Sequence, residues 1–179
     1  MGIRVKQRDI TDCGAACLTS IASYYKVDLP LARIRQYAGT DKKGTNVLGL
    51  IEASEKMGFT ARGVRADWDS LFKIPVPAIA HMIVKGILTH YVVILKATGK
   101  YIKIMDPADG EIHKFSHEDF KDQWTGVLVL IAPGERFRIR DEKEKLWTRL
   151  LQLVKPSKSI LIQALVGALV YSVLGLSVS

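Results

Sequence analysis

A thiol at Cys13 and an imidazole–carboxylate pair at His90 and Asp106 are the groups in this chain whose types and spacing could do covalent chemistry. Cys13 lies in Gln7-Arg8-Asp9-Ile10-Thr11-Asp12-Cys13-Gly14-Ala15-Ala16-Cys17-Leu18, where a polar, turn-prone stretch runs into an apolar helical pattern. Gly14, Cys17, Leu18, Ile21, Tyr24 and Tyr25 recur at i, i+3, i+4 and i+7, with Thr11 or Asp12 available as N-cap. The spacing predicts a helix with Cys13 at its mouth and Cys17 one turn inside. Only a thiolate attacks a carbonyl, and the positive end of a helix together with a nearby imidazolium can bring a thiol pKa from about 8.5 to roughly 3.5–7.5. A cysteine in an Ala-rich helix is otherwise an ordinary small buried hydrophobe, so the partners decide.

Those partners come from a β-hairpin. The runs His90 to Lys96 and Lys100 to Asp106 are β-rich and joined by Ala97-Thr98-Gly99, a three-residue loop with glycine where a positive φ is wanted. If Lys96 pairs with Lys100, His90 lies directly opposite Asp106 on one face, with Cβ atoms about 4.5–5.5 Å apart. A carboxylate there can fix the tautomer and orientation of the imidazole while the other ring nitrogen meets a thiol. Pro107 ends the strand, so the pair sits at the open end of the hairpin.

The competing groups have less support. His81 belongs to another strand pattern, and His113 and His117 fall in polar stretches without a facing carboxylate. A zinc site from these histidines and the two cysteines lacks the usual short Cys-x-x-Cys or His-x-x-x-His spacing. Two cysteines four apart on one helix are poorly aligned to bridge, which suits a reducing compartment.

Several ordered motifs between Val5 and Pro133 resemble one family. They are Gln7 six residues before Cys13, Asp12-Cys13-Gly14 with Ala16 and Cys17-Leu18 after it, Tyr24-Tyr25, His90-Tyr91-Val92-Val93-Ile94, Asp106-Pro107-Ala108-Asp109-Gly110, and Trp124-Thr125-Gly126. The chain is similar to the papain-like cysteine peptidase domain of peptidase-containing ABC transporters, which process and export bacteriocins and related peptides. The resemblance implies a Cys13-His90-Asp106 triad, with Gln7 supplying an oxyanion-hole donor. It also implies cleavage of a leader-containing precursor peptide after a Gly-Gly pair, on the cytoplasmic side of a bacterial inner membrane. The roles are physically sensible: a Gln amide and the backbone N–H of Cys13 would make a preorganised donor pair, and losing one such donor typically costs about 10²–10³ in rate.

The elements that must position these residues follow from the pattern around them. Helices are expected at Pro30 to Ala38, ended by Gly39, and at Asn46 to Met57, capped by Thr45 and stopped by Gly58. Strand patterns follow at Thr60 to Val64, Val76 to Val84, His90 to Leu95, Lys100 to Asp106, Glu111 to Phe115 and Gly126 to Ala132, with short helices at Asp67 to Phe72 and His117 to Gln123. Helices first and strands afterwards predict an α+β fold with a mainly antiparallel sheet. A helix would then carry the thiol and a sheet the base, which makes the cleft between them the active site.

Residues 1–133 are expected to form this peptidase domain, 134–159 a basic linker, and 160–179 the start of a transmembrane region. Between Glu135 and Lys158 the basic residues outnumber the acidic ones, and Leu146, Trp147, Leu150, Leu151 and Val154 form an apolar stripe, the pattern of an interfacial amphipathic helix. Ile160 to Ser179 contains no charged residue and is long enough for about 30 Å of hydrocarbon. The basic flank places its N-terminal side in the cytoplasm. The net charge of +8 owes much to this flank, so anionic lipid rather than nucleic acid is the expected partner.

No Gly-x-x-x-x-Gly-Lys-Ser/Thr loop occurs, so ATP is expected only in a nucleotide-binding domain outside this chain, and the peptidase is expected to need no cofactor or metal. The resemblance further implies transmembrane and nucleotide-binding domains as partners and a homodimer in the full protein. A non-catalytic docking domain of the same fold is the alternative function; relatives of that kind lack the nucleophile that Cys13 would supply.

Overall fold

The computed structural model describes residues 3–135, with Phe137, Gln163 and residues 166–168 beyond them. The chain divides into two units, Met1–Glu142 and Lys143–Ser179. In the second, Gln163 and residues 166–168 are helical. Of the expected linker only Gly134, Glu135 and Phe137 are described, and of the expected span only Gln163 and residues 166–168; the rest of both lies outside the described residues. Among the described residues, no helix is long and apolar enough to cross a membrane.

The first unit opens with an extended strap, residues 3–7, and a 3-10 turn at Ile10–Asp12, capped by the Asp9 carboxylate, which accepts the Thr11 N–H. Helix α1 follows at Cys13–Tyr24. Its apolar and small residues are not confined to one face: every position from Cys13 to Ala22 is buried. The helix is therefore an interior element, wrapped by sheet and neighbouring helices. Helices α2 (Leu31–Tyr37) and α3 (Val47–Lys56) come next, each within a residue or two of its expected ends. The cap of α3 is Asn46, whose side chain accepts the Gly49 N–H at 2.7 Å, rather than the expected Thr45. Thr45 is instead buried, its hydroxyl 2.6 Å from that of Thr40.

Six strands then form one wholly antiparallel sheet: β1 (Phe59–Arg65), β2 (Ala78–Val84), β3 (Leu88–Ala97), β4 (Ile102–Asp106), β5 (Glu111–Phe115) and β6 (Trp124–Pro133), in the order β1-β6-β2-β3-β4-β5. A 3-10 turn at Ser70–Phe72 replaces the short helix expected from Asp67, while α4 (His117–Gln123) has the expected bounds. Strand alternation splits the apolar residues between two clusters. Ile79, Tyr91, Val93 and Met105 pack with α1, α2 and α3. Ala80, Val92, Ile94 and Ile104 pack with Leu71 and Phe120 from the opposite layer. Burying both faces explains why β2 and β3 read as nearly continuous apolar runs.

The β3–β4 hairpin differs from its expected register. Ala97 pairs with Ile102, so the loop is Thr98 to Tyr101, closed by the Thr98 N–H donating to the Tyr101 carbonyl at 3.1 Å. Gly99 does not take a positive φ. Lys96 faces Lys103 instead of Lys100, an odd shift that by itself would put His90 and Asp106 on opposite faces. A β-bulge restores the parity: Leu95 is an extra residue on β3, after which Ile94 faces Ile104 and Val93 faces Met105. The paired part of the two strands ends at Val93 and Met105, so His90 and Asp106 lie beyond it, at the open end of the hairpin.

Candidate active site

Cys13 is the first residue of α1, and its side chain is buried with 6% of its surface exposed. The residue before it, Asp12, ends the 3-10 turn in helical geometry (φ −90°, ψ −4°), so the turn feeds directly into the helix and Cys13 stands where the unpaired N–H groups and the positive helix end lie. Gly14 packs closely: a Cβ there would lie 3.0 Å from the Thr45 Cβ, so Thr45 would have to give way by a few tenths of an ångström.

His90, on β3, is also buried, and its Nε2 is 2.8 Å from Asp106 Oδ1 at the end of β4. That contact uses one ring nitrogen and leaves Nδ1 free, and the imidazole interacts electrostatically with the Cys13 side chain. Burial opposes a charge on His90, but the hydrogen bond to Asp106, the interaction with Cys13 and the negative charge of both outweigh it, and its pKa is raised to about 9. Asp106 is likewise penalised by burial, yet hydrogen bonds from His90 and from the Ala108 N–H, 2.8 Å away, hold its carboxyl below the usual range. The imidazole is thus charged at neutral pH and pinned by a carboxylate that stays ionised. Such a pair can stabilise a thiolate and deliver a proton to a leaving group.

The structure therefore brings Cys13, His90 and Asp106 together. Gln7 enters from the strap: its N–H donates to the Pro107 carbonyl at 2.8 Å, one residue past Asp106. Its side-chain Oε1 is buried without a hydrogen-bond partner; an oxyanion would instead use the N–H₂ of the same amide.

The competing residues are occupied elsewhere. His81 Nδ1 lies 2.9 Å from the Thr125 hydroxyl, and burial lowers its pKa. His117 Nε2 is 2.8 Å from the Thr98 carbonyl. His113 does have a carboxylate, contrary to expectation, since Asp109 Oδ2 lies 2.8 Å from its Nε2, but the pair is exposed and local in sequence. Among the described residues no group of three or more His, Cys, Asp or Glu side chains is placed to hold a metal ion.

Two supporting features carry little signal in the sequence. Asp12 is fully buried and bound by the Arg35 guanidinium from α2: Nη1 donates to Oδ2 at 3.5 Å, and Nε sits 3.1 Å from Oδ1, off the line of a hydrogen bond. Tyr91, buried beside the site, has its pKa pushed up to about 12 by burial and by the negative charge of Cys13 and Cys17. The adjacency of Asp12 to Cys13 was the only clue to the first; nothing in sequence pointed to Arg35.

A thiol at the N-terminus of a buried helix, faced by a histidine–carboxylate pair on an antiparallel sheet, defines the papain-like class of peptidase folds. The chain belongs to the Peptidase C39 family, whose profile matches residues 3–136. The peptidase domain of Streptococcus ComA, a bifunctional ABC transporter of a quorum-sensing pathway, superposes with a TM-score of 0.68 at 36% identity, over 72% of this chain and 96% of that one. A double-glycine-motif protease from an AMS/PCAT transporter, solved with a leader peptide, gives a TM-score of 0.67 at 33% identity, over 72% of this chain and 89% of that one. The mesentericin-Y105 transport/processing ATP-binding protein MesD of Leuconostoc mesenteroides is 32% identical over 96% of this chain and 24% of its own length. The pediocin PA-1 counterpart PedD of Pediococcus acidilactici is 36% identical over 86% and 22%. The chain thus spans about a quarter of the length of these relatives.

Proposed function

We propose that this chain is the cysteine endopeptidase part of a peptide-exporting ABC transporter and removes a leader from a precursor peptide by cutting after a Gly-Gly pair. The observation that carries this reading is His90, held by Asp106 at 2.8 Å and kept charged by Asp106 and by the thiol at a helix N-terminus. The Cys13 thiolate attacks the carbonyl carbon of the second glycine, forming the C–S bond as the carbonyl π electrons move to oxygen. The Gln7 amide and the Cys13 backbone N–H hold that oxyanion. His90 then gives its proton to the departing amine as the C–N bond breaks, and afterwards takes a proton from the water that hydrolyses the thioester. Asp106 keeps the ring oriented and stabilises the imidazolium throughout.

The relatives' names as transport and processing ATP-binding proteins support a membrane partner and an ATP-binding partner domain outside this chain. The basic 134–159 segment supports a cytoplasmic position for the peptidase, next to anionic lipid, with the apolar 160–179 stretch entering the membrane. Incubating the protein with a synthetic peptide that carries a double-glycine leader and weighing the products tests the reading. Two fragments split after the second glycine are expected from the wild type and none from Cys13→Ala. An intact peptide with wild-type protein would leave the docking-domain alternative.

A further inference from the structure

The turn that follows Asp106 touches both halves of the proposed machinery. Asp106 Oδ1 accepts the Ala108 N–H at 2.8 Å while binding His90, and the Gly110 N–H closes the turn onto the Asp106 carbonyl at 2.8 Å. The Pro107 carbonyl accepts the Gln7 N–H at 2.8 Å. Gly110 has a φ of +79°, and a Cβ on it would lie 3.0 Å from the Lys6 Cβ, 3.1 Å from the Lys6 nitrogen and 3.2 Å from the Lys6 Cα. Two of those atoms are backbone and cannot swing aside, so the strap itself would have to shift by a few tenths of an ångström, and Gln7 is the next residue along it. The strap has little freedom elsewhere: Val5 is buried, Arg4 pairs with Glu111 at 3.0 Å, and the Ile3 carbonyl accepts the Ser20 hydroxyl of α1.

We infer that Gly110 is a positioning residue for the oxyanion donor: its missing side chain lets the Lys6–Gln7 backbone seat against the Asp106 turn, so that one turn sets both the His90 orienter and the Gln7 amide. The inference rests on the peptidase reading and on Gln7 acting in it. It separates two reasons for a glycine at 110. If only the positive φ mattered, asparagine, which tolerates that region, would serve. If the close approach to Lys6 matters, any Cβ harms the reaction through Gln7.

The test compares wild type, Gln7→Ala, Gly110→Ala, Gly110→Asn and the two double variants. Two rates are read: cleavage of a synthetic double-glycine leader peptide, and alkylation of Cys13 by iodoacetamide. Alkylation needs the thiol and His90 but forms no oxyanion. Gln7→Ala is expected to lower kcat by about 10²–10³. Gly110→Ala and Gly110→Asn should each lower it by about tenfold or more, with alkylation within about twofold of wild type. In the Gln7→Ala background either Gly110 change should cost less than about twofold, because the group it positions is gone. Equal losses in both backgrounds, alkylation falling in step with cleavage, recovery in Gly110→Asn, or failure of both Gly110 variants to fold would overturn the inference. A wild type that cleaves no such peptide, or a Gln7→Ala variant as fast as wild type, would sink the peptidase reading or the Gln7 role themselves, an outcome distinct from additive Gly110 losses in an active protein that needs Gln7.

Discussion

His90 and Asp106 meet at 2.8 Å although their backbones are not direct cross-strand partners. The paired ladder of β3 and β4 ends at Val93 and Met105, and the imidazole reaches its carboxylate beyond that end. The Leu95 bulge shifts the register of the paired strands by one residue before that end is reached.

The pair sets a pH dependence. The His90 pKa is about 9, above the ordinary value of 6.5, despite a burial that opposes its charge. Imidazolium is therefore present through neutral pH and lost as pH rises through about 9. The stability it contributes is full below about 6.5 and disappears over the same rise. Cleavage should show an alkaline limb near 9. Asp106→Asn removes the charge but keeps the shape, so burial should pull that limb to lower pH while the rate falls. A pH–rate profile of both proteins checks this; an unmoved limb and an unchanged rate would remove Asp106 from the mechanism.

The two cysteines should separate cleanly. Cys17 is fully buried, and burial, then the negative charge of Cys13 and Asp106, drives its pKa well up. Cys13 lies at the helix start in contact with His90. Iodoacetamide should label Cys13 far faster, as peptide mapping would reveal. Cys13→Ala should abolish cleavage, whereas Cys17→Ala should keep most of it and lose about 1 kcal/mol of stability from the small cavity. Faster labelling of Cys17 would contradict the assignment.

Arg35 offers a stability test. Asp12 is buried beneath its guanidinium, which is itself about two-fifths exposed. Removing one partner of a fully buried pair costs about 3–5 kcal/mol and of a surface pair about 1 or less, so an intermediate loss of about 2 kcal/mol is expected for Arg35→Ala. Adding Asp12→Asn should recover part of it by removing the stranded charge. Denaturant melts of the single and double variants measure this, and a double variant no better than Arg35→Ala would refute the pairing.

What was legible in the sequence was what local patterns encode. The helix bearing Cys13, the six strands and the caps at Gly39 and Gly58 follow from periodicity and glycine placement, and the His90–Asp106 pairing follows from a same-face argument about one hairpin, while the triad is what the family resemblance implies. His90 and Asp106 do meet, but in a different register: the loop runs from Thr98 to Tyr101 and the Leu95 bulge shifts the pairing by one more residue, two odd shifts whose parities cancel. Arg35, the burial of Asp12 and the contact of Gly110 with Lys6 were not legible, because each joins segments distant in sequence through tertiary packing alone. The cap of α3 was misplaced by one residue, since Thr45 and Asn46 both have capping side chains and only packing sends Thr45 inward.

Specificity at the scissile bond gives the last test. Cys13 and His90 are both nearly closed off from solvent, so a substrate backbone must approach a thiol lying between a helix and a sheet. Glycine alone has no Cβ to hold the chain away and adopts backbone conformations closed to other residues. The solved relative described as a double-glycine-motif protease, bound to a leader peptide, fits this expectation. Replacing the residue just before the cut with Ala should therefore slow cleavage strongly, and Val should abolish it. Shortening the leader should also lower the rate, because contacts remote from the bond help position it. The decisive comparison is of Gly-Gly, Gly-Ala and Gly-Val peptides at equal concentration. Equal rates across the three would mean that Cys13 works in an open site and that this protein does not select for double glycine.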